Sequence, residues 1–170
     1  DIVTFHVPLT KEGPDKTLHL VDEAFLERCK TGMIVFNTSR GSVIDGNALR
    51  AALESGAVGA AVLDVWENEP NIDPELLANC AIGTPHIAGY SYDGKVAGTR
   101  MVYEAVCAHF DIEPTWNAAE HLGAEDAEPI DVTGIEGTDD AVRTAVRGVY
   151  DIREDDKPLR QILTLPDAER

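Results

Sequence analysis

Short β-branched runs alternate with helical stretches from Asp1 to about Cys80, and this alternation constrains the fold more than any other feature. Four of these runs are predicted as strands: Ile2–Phe5, Met33–Phe36, Ala60–Val65 and a short one that begins at Ala81–Ile82. Their nearly continuous apolar character is typical of strands that are covered on both faces of a sheet. Strands separated by helices predict parallel pairing, so we expect an α/β fold with a doubly wound parallel sheet.

Two helices are predicted between these strands from their capping residues and from apolar spacing. Asp22 can accept hydrogen bonds from the first N–H groups of one helix, which Gly32 would end after Cys29. Asp45 can cap a second helix that ends before Gly56. The apolar positions are Phe25, Leu26 and Cys29 in the first helix and Ala48, Leu49, Ala52 and Leu53 in the second.

The character of the chain changes after the fourth predicted strand. An amphipathic helix is predicted to run to about Phe110, followed by a linker over 113–138 that contains Pro, Gly and many acidic residues. Thr138 is the expected N-cap of one more helix, and the segment 151–158 is expected to break it. The apolar positions are Val96, Val102, Tyr103, Val106 and Phe110 in the earlier helix and Val142, Ala145, Val146 and Val149 in the later one.

Charge and cysteine content restrict the classes of partner. The chain carries 31 acidic and 14 basic residues, a net charge of −17, which repels nucleic acid and anionic membranes. A solvated acidic surface accounts for this charge, and a salt-adapted source organism is the alternative. The three cysteines, Cys29, Cys80 and Cys107, lack metal-ligand spacing, so we expect reduced structural thiols, no metal and a cytoplasmic location.

Three polar clusters follow predicted strands, where open α/β sheets bind ligands. Arg40 offers a planar fork of donors suited to a carboxylate, and Gly41 permits a close backbone approach. Asp64, at the end of a buried strand, is costly unless it meets a donor or a polar ligand. His86 can carry a proton near neutral pH, with Glu69 as its charged partner. Arg40, Glu69 and His86 are each typical of a protein surface when taken alone; together they supply a carboxylate clamp, a proton carrier and its partner.

The stretches NTSRGSVID, LDVWENEP and TPHIAGY, in this order and spacing, resemble signatures of the D-2-hydroxyacid dehydrogenase family. The opening TFHVPLT resembles the loop that follows a strand of that family's cofactor domain. The resemblance implies the second half of a Rossmann-type NAD domain in 1–90 and a helix returning to the substrate domain in 91–115. It further implies that 116–170 form a linker and the start of a smaller dimerisation domain.

By the same resemblance, Arg40 binds the substrate carboxylate, His86 is the general acid and base, and Glu69 pairs with His86. Asp64 would accept a hydrogen bond from the nicotinamide carboxamide of NAD. The other implied contacts are Val7, Thr38, Ser39, Arg40 and Gly89 for the cofactor, and Arg40, His86 and Tyr90 for the substrate.

FHVPLTKEGPDKTLHL and PHIAGYSYDGKVAGT are similar to a branch of the family that oxidises 4-phospho-D-erythronate in pyridoxal phosphate biosynthesis. VRGVYDIREDDKPLRQIL resembles the start of that branch's dimerisation domain, which implies a homodimer. Oxidation of 3-phosphoglycerate, glyoxylate/hydroxypyruvate chemistry and a non-catalytic NADH-sensing role stay open. The sequence contains no Gly-rich turn for the cofactor pyrophosphate, so we expect a C-terminal fragment that is inactive and poorly folded by itself.

Overall fold

The computed structural model describes residues 1–117, 120 and 129–165, which divide into two compact units. The first unit consists of 1–86 and 151–165, and the second unit consists of the described residues of Ile87–Tyr150. Arg40, Glu69 and His86 therefore all belong to the first unit. The assignment of 116–170 to a linker and a dimerisation domain stays a prediction.

Four parallel strands form the sheet of the first unit in the order β1-β2-β3-β4. These are β1 (Ile2–Phe5), β2 (Met33–Asn37), β3 (Val58–Leu63) and β4 (Ile82–Gly83). The predicted α/β class is confirmed, and each crossover moves one strand in the same direction, as in one half of a doubly wound sheet. β3 begins and ends two residues earlier than predicted. Its pairing with β2 runs from Val58, opposite Met33, to Leu63, opposite Asn37. Asp64 thus lies just beyond the strand.

The helices between the strands are α1 (Glu23–Glu27), α2 (Gly46–Glu54) and α3 (Pro74–Asn79). Asp22 and Asp45 cap α1 and α2 as predicted, each accepting hydrogen bonds from N–H groups of the first turn. The prediction that α1 includes Cys29 is wrong. The N–H groups of Arg28 and Cys29 bond to carbonyls three residues back, which tightens the chain into a turn after Glu27.

α3 is a helix that the sequence analysis missed. The Asp73 carboxylate accepts hydrogen bonds from the N–H groups of Glu75 and Leu76. Pro74 occupies the first helical position, where its fixed φ is favourable and its missing N–H costs nothing. The pair Asp73-Pro74 is therefore the signal from which α3 could have been predicted. Leu76 and Leu77 are buried in the core of the first unit.

The apolar core of the first unit joins the strands to the helices that cover them. Its largest fully buried members are Val21, Val35, Val43, Leu49 and Leu77. Burying one such side chain contributes about 1.5–3 kcal/mol relative to leaving it exposed. The strand ends and the loops that follow them therefore extend from a well-packed core.

The predicted break of the helix that begins near Thr138 is confirmed, because α5 (Thr138–Val149) ends before Tyr150. The segment 151–158 is itself mostly helical, since α6 (Arg153–Arg160) begins three residues after Tyr150. Three acidic residues in the first turn of α6 suit the positive end of a helix dipole. The 3₁₀ turn Gln161–Thr164 follows, and Leu159, Ile162 and Leu163 pack against the core of the first unit.

α6 is attached to the edge of the sheet by a polar clamp. The Asp156 carboxylate accepts a hydrogen bond of 2.7 Å from the N–H of Gly83 in β4. The Arg160 guanidinium donates to the carbonyls of Leu77 (3.1 Å) and Cys80 (2.9 Å). Burial by itself would raise the pKa of Asp156, but the hydrogen bonds from Arg160 and Gly83 and the Arg160 charge bring it below its usual value. Burial raises the pKa of the Cys80 thiol to about 12, which makes it an inert thiol.

The second unit contains α4 (Tyr92–Phe110) and α5. α4 ends at Phe110 as predicted, and Asp111 follows in the left-handed conformation. Thr138 is the first residue of α5 rather than its cap; the capping position belongs to Gly137, whose φ of 92° a β-carbon would disfavour. Residues 118–119 and 121–128 of the predicted linker lie outside the described residues. No helix in the described ranges is both long and apolar enough to cross a membrane.

Candidate active site

The predicted site residues of the first unit follow the carboxyl ends of adjacent strands. The register aligns Phe5 with Asn37, Asn37 with Leu63, and Leu63 with Gly83. The residues that come next, or nearly next, are Val7, Thr38, Asp64 and Thr84. Because parallel strands end at one edge of a sheet, these residues share the edge at which doubly wound sheets bind ligands.

Glu69 and His86 are brought into direct contact at this edge. Nδ1 of His86 donates to Oε2 of Glu69 over 2.8 Å, and the other oxygen of Glu69 accepts from the N–H of Trp66 over 2.8 Å. His86 has a φ of 59°, and its N–H donates to the carbonyl of Asp64. Within the described residues, Nε2 of His86 has no hydrogen-bond partner. One ring nitrogen is thus oriented by a carboxylate, while the other can meet a substrate hydroxyl.

Asp64 is buried and meets a donor within the chain. Its side chain accepts a hydrogen bond of 2.6 Å from Oγ1 of Thr84, and only 4% of Asp64 is exposed. The Trp66 indole N–H donates in turn to the Thr84 carbonyl over 2.9 Å. Thr84 and Trp66 are therefore site-forming residues that the sequence analysis missed. The cost of burying Asp64 indicated that some donor was needed, without indicating which one.

Arg40 extends from a turn that Asn37 shapes. The Asn37 side chain accepts from the N–H and hydroxyl of Ser39 and donates to the carbonyl of Arg40 over 3.0 Å. Arg40 itself is exposed, and its Nη1 donates to the Ser39 carbonyl over 2.6 Å. In the described part of the chain, its guanidinium forms no hydrogen bond or ion pair with Glu69 or His86. The guanidinium therefore remains available to a carboxylate from outside the chain.

Gly41 makes the close backbone approach that its residue type suggested, and the approach is to another loop of the site. A β-carbon at position 41 would lie 1.9 Å from the carbonyl oxygen of Trp66 and 2.6 Å from the nitrogen of Glu67. No other residue type fits without movement of the backbone. The turn that carries Arg40 is thus packed directly on the loop that carries Glu69.

The remaining predicted contacts divide between the two units. Val7 is half-buried and Thr38 is exposed, whereas the Ser39 hydroxyl is occupied by Asn37. Gly89 and Tyr90 belong to the second unit, and their predicted contacts with cofactor and substrate stay predictions. Tyr90 is 71% exposed, and the Lys95 ammonium lies over its ring, 3.3 Å from the centroid.

The residues that are present fit part of a dinucleotide site. Small or half-buried side chains border three adjacent strand ends, and the buried Asp64 carboxylate lies among them. A separate cavity of about 880 Å³ lies between α1 and α2, and Arg40, Glu69 and His86 are not among its lining residues. We place the candidate site at the strand ends rather than in this cavity, because the groups able to move a proton and bind a carboxylate lie there.

Comparison with known proteins matches this part of the chain to a family. Residues 1–88 match the family described as "D-isomer specific 2-hydroxyacid dehydrogenase, NAD binding domain". An erythronate-4-phosphate dehydrogenase of Salinibacter ruber is 48% identical over an alignment of 177 positions, which covers 99% of this chain and 44% of that protein. One from Bacteroides fragilis is 59% identical over 113 residues, covering 66% of this chain and 32% of the relative. This chain thus spans less than half the length of these relatives.

A solved structure agrees with the fold of this chain. The crystal structure of a glyoxylate reductase from Paecilomyes thermophila aligns with a TM-score of 0.57 and 32% sequence identity. The alignment covers 68% of this chain and 35% of the reductase. The resemblance of the motifs, the parallel sheet and the similarity to known sequences therefore all point to one family.

Proposed function

The chain belongs to the D-isomer specific 2-hydroxyacid dehydrogenase family, by the match of residues 1–88 to its NAD-binding domain, and we propose that the full-length protein oxidises a D-2-hydroxy acid to the 2-oxo acid. The observation that carries the proposal is the contact of His86 with Glu69 at the carboxyl ends of the strands. A hydride acceptor is required, and NAD supplies that chemistry when bound.

The residues of this chain divide the remaining work of the reaction. His86 takes the proton of the substrate hydroxyl on Nε2 as the 2-oxo group forms, and returns it in the reverse direction. Glu69 orients the ring and stabilises the positive charge that develops on it. Arg40 binds the substrate carboxylate with two parallel donors. Val7, Thr38, Ser39 and Asp64 would hold NAD, together with Gly89.

We propose 4-phospho-D-erythronate as the substrate, which makes the protein an enzyme of vitamin B6 biosynthesis. The support is the name shared by the S. ruber and B. fragilis relatives, at 48% and 59% identity. Tyr90 would contact this substrate. A homodimer, with 116–170 contributing to its interface, and a cytoplasmic location belong to the same proposal. The cytoplasmic location rests on the three cysteines, all of which are free thiols.

The test is NAD reduction by the full-length protein with 4-phospho-D-erythronate and, in parallel, 3-phospho-D-glycerate. We expect a clear preference, in kcat/KM, for the four-carbon acid. Preference for the three-carbon acid would keep the reaction class and replace the substrate. The glyoxylate reductase likeness makes NADH-dependent reduction of glyoxylate the third assay. Tight NADH binding without turnover of any of these acids would favour a nucleotide-sensing protein instead.

A further inference from the structure

A second histidine–carboxylate pair lies beside the candidate site, and none of the roles proposed above uses it. Nε2 of His19 donates to Oε1 of Glu67 over 2.7 Å. Nδ1 of the same ring lies 3.7 Å from Oδ2 of Asp45, the N-cap of α2. The other oxygen of Glu67 accepts a hydrogen bond of 2.9 Å from the N–H of Gly46, the first residue of α2. The Glu67 carboxylate is thereby held from two sides.

These contacts join three loops that follow three neighbouring strands. His19 belongs to the connection after β1, Asp45 and Gly46 to the connection after β2, and Glu67 to the connection after β3. Each connection also carries residues of the candidate site: Val7 in the first, Arg40 in the second and Glu69 in the third. Glu67 therefore contacts, directly or through its neighbours, the loops that follow β1, β2 and β3.

The backbone around His19 is built to present the ring to Glu67. His19 has a φ of 51°, a left-handed conformation that histidine tolerates better than most residues. Its N–H donates to the carbonyl of Ser42 over 2.8 Å. The next residues continue this contact, because the fully buried Val21 forms a parallel bridge with Ile44. The connection after β1 is thus fastened to the turn that follows Arg40.

The loop of Glu67 is equally constrained, and it leads directly to the proposed proton carrier. The peptide between Trp66 and Glu67 packs on Gly41 so closely that a β-carbon there would overlap it. Two residues beyond Glu67, the Glu69 carboxylate holds Nδ1 of His86. A change in the position of Glu67 would therefore move Glu69 on one side and the Arg40 turn on the other.

We propose that His19 and Glu67 are positioning residues, which hold the loops of Arg40 and Glu69 at the spacing that the reaction requires. The inference rests on the proposed function. Neither residue takes part in proton transfer: both ring nitrogens of His19 face carboxylates, and both oxygens of Glu67 accept hydrogen bonds. A displacement of about 1 Å at a reacting group can lower the rate on the order of 10²-fold.

Two substitutions break the pair while preserving the backbone. Glu67→Gln keeps the size of the side chain but removes the negative charge that faces His19 and leaves one acceptor oxygen in place of two. His19→Asn keeps a residue that tolerates the left-handed backbone, but its side chain is too short to replace the ring. Glu75→Gln is the matched control, because the exposed Glu75 side chain pairs with Arg50 and, among the described residues, forms no hydrogen bond or ion pair with His19 or Glu67.

The experiment measures kcat, KM and NADH affinity in the full-length protein for both single variants, the double variant and the control. We expect each single variant to lower kcat about tenfold, with NADH affinity changed less than twofold. The double variant should fall no further than the worse single variant, because both changes break one linkage. Wild-type kcat in both single variants, or losses that multiply in the double variant, would overturn the proposal.

Hydrogen exchange separates the failure of this inference from the failure of the proposed function. In His19→Asn we expect faster exchange of the amides of Gly46 and Trp66, which donate to Glu67 and Glu69, with unchanged exchange in β2 and β3. If the wild-type protein oxidises no hydroxy acid but exchange accelerates in this way, the proposed function falls and the linkage of the loops stands. If the wild type is active and exchange is unchanged in the variant, the linkage falls and the function stands.

Discussion

The two histidine–glutamate pairs of the first unit are made from the same side chains at nearly the same distance, yet their surroundings differ. The Glu69–His86 contact measures 2.8 Å and the Glu67–His19 contact 2.7 Å, and both glutamates belong to the loop after β3. His86 keeps one ring nitrogen without a partner among the described residues, whereas both nitrogens of His19 face carboxylates. The first arrangement suits proton transfer and the second suits attachment of loops.

A histidine–carboxylate contact does not by itself identify a proton carrier. The ring must also have an open nitrogen on the side where ligands bind, and His86 follows β4 at that edge. The two glutamates also differ in the donor to their second oxygen. For Glu67 the donor is the N–H of Gly46 at the start of α2, and for Glu69 it is the N–H of Trp66 in the same loop. Four substitutions test whether the difference is functional.

The largest effect is expected for the Glu69–His86 pair, in which Nε2 of His86 has no partner among the described residues. His86→Asn removes the proton carrier, and we expect kcat of the full-length protein to fall about 10³-fold, within the range for loss of a general acid or base. NADH affinity should stay nearly unchanged, because the ring is assigned to proton transfer. Steady-state kinetics and NADH titration measure both quantities, with His109→Asn, on the exposed surface of α4, as the control. An equal loss of kcat in His19→Asn would remove the distinction between the pairs.

Arg40→Lys tests the turn after β2, which lies beside both histidine–glutamate pairs. An ammonium cannot reproduce two parallel donors to one carboxylate, so we expect kcat/KM for the hydroxy acid to fall about 10²-fold. Arg28→Lys is the matched control, because Arg28 lies exposed after α1 and takes no part in the site. Affinity for the hydroxy acid close to that of the wild type would exclude Arg40 as its carboxylate ligand.

Much of the first unit could be predicted because its signals are local. A buried strand, an N-cap and a turn each depend on a few consecutive residues, which is why β1, β2 and the caps Asp22 and Asp45 are confirmed. The end of β3 could not be placed, because Asp64 is followed by the β-branched, buried Val65, whereas strand pairing ends at Leu63. Sheet hydrogen bonds, rather than composition, decide where a strand stops.

In the site, too, features that depend on neighbouring residues could be predicted, whereas contacts between residues far apart in the sequence could not. Arg40, Glu69 and His86 could be proposed from motifs, because each lies in a distinctive stretch of sequence. His19 and Glu67 are separated by 48 positions, and a single histidine in a loop carries no signal of its partner. The donor to Asp64 was required by burial energetics, but its identity as Thr84 depends on how β3 and β4 pair. The attachment of α6 to β4 depends on three-dimensional packing in the same way.

Glu69→Gln tests whether Glu69 has a role in proton transfer that Glu67 lacks. The amide oxygen of the variant can still accept from one donor, but the amide carries no charge to stabilise a protonated His86 and has one acceptor fewer. We expect kcat to fall roughly 30-fold, between the effects of His86→Asn and Glu67→Gln. The measurement is kcat for all three variants under the same conditions. A loss in Glu69→Gln no larger than that in Glu67→Gln would mean that both glutamates only position loops.

The smallest effect is expected for Asp156, which accepts from the N–H of Gly83 three residues before His86 and has no histidine partner among the residues that the structure describes. Its pKa in the folded state is lowered by the hydrogen bonds from Arg160 and Gly83, which outweigh the effect of burial. Its contribution to stability is therefore fully present above the unfolded pKa and is lost as pH falls through the folded pKa. Asp156→Asn should lower Tm by about 2–4 °C at pH 7, and the difference should vanish in acid. Thermal unfolding from neutral to acidic pH measures this, and a difference independent of pH would show that Asp156 acts by shape alone.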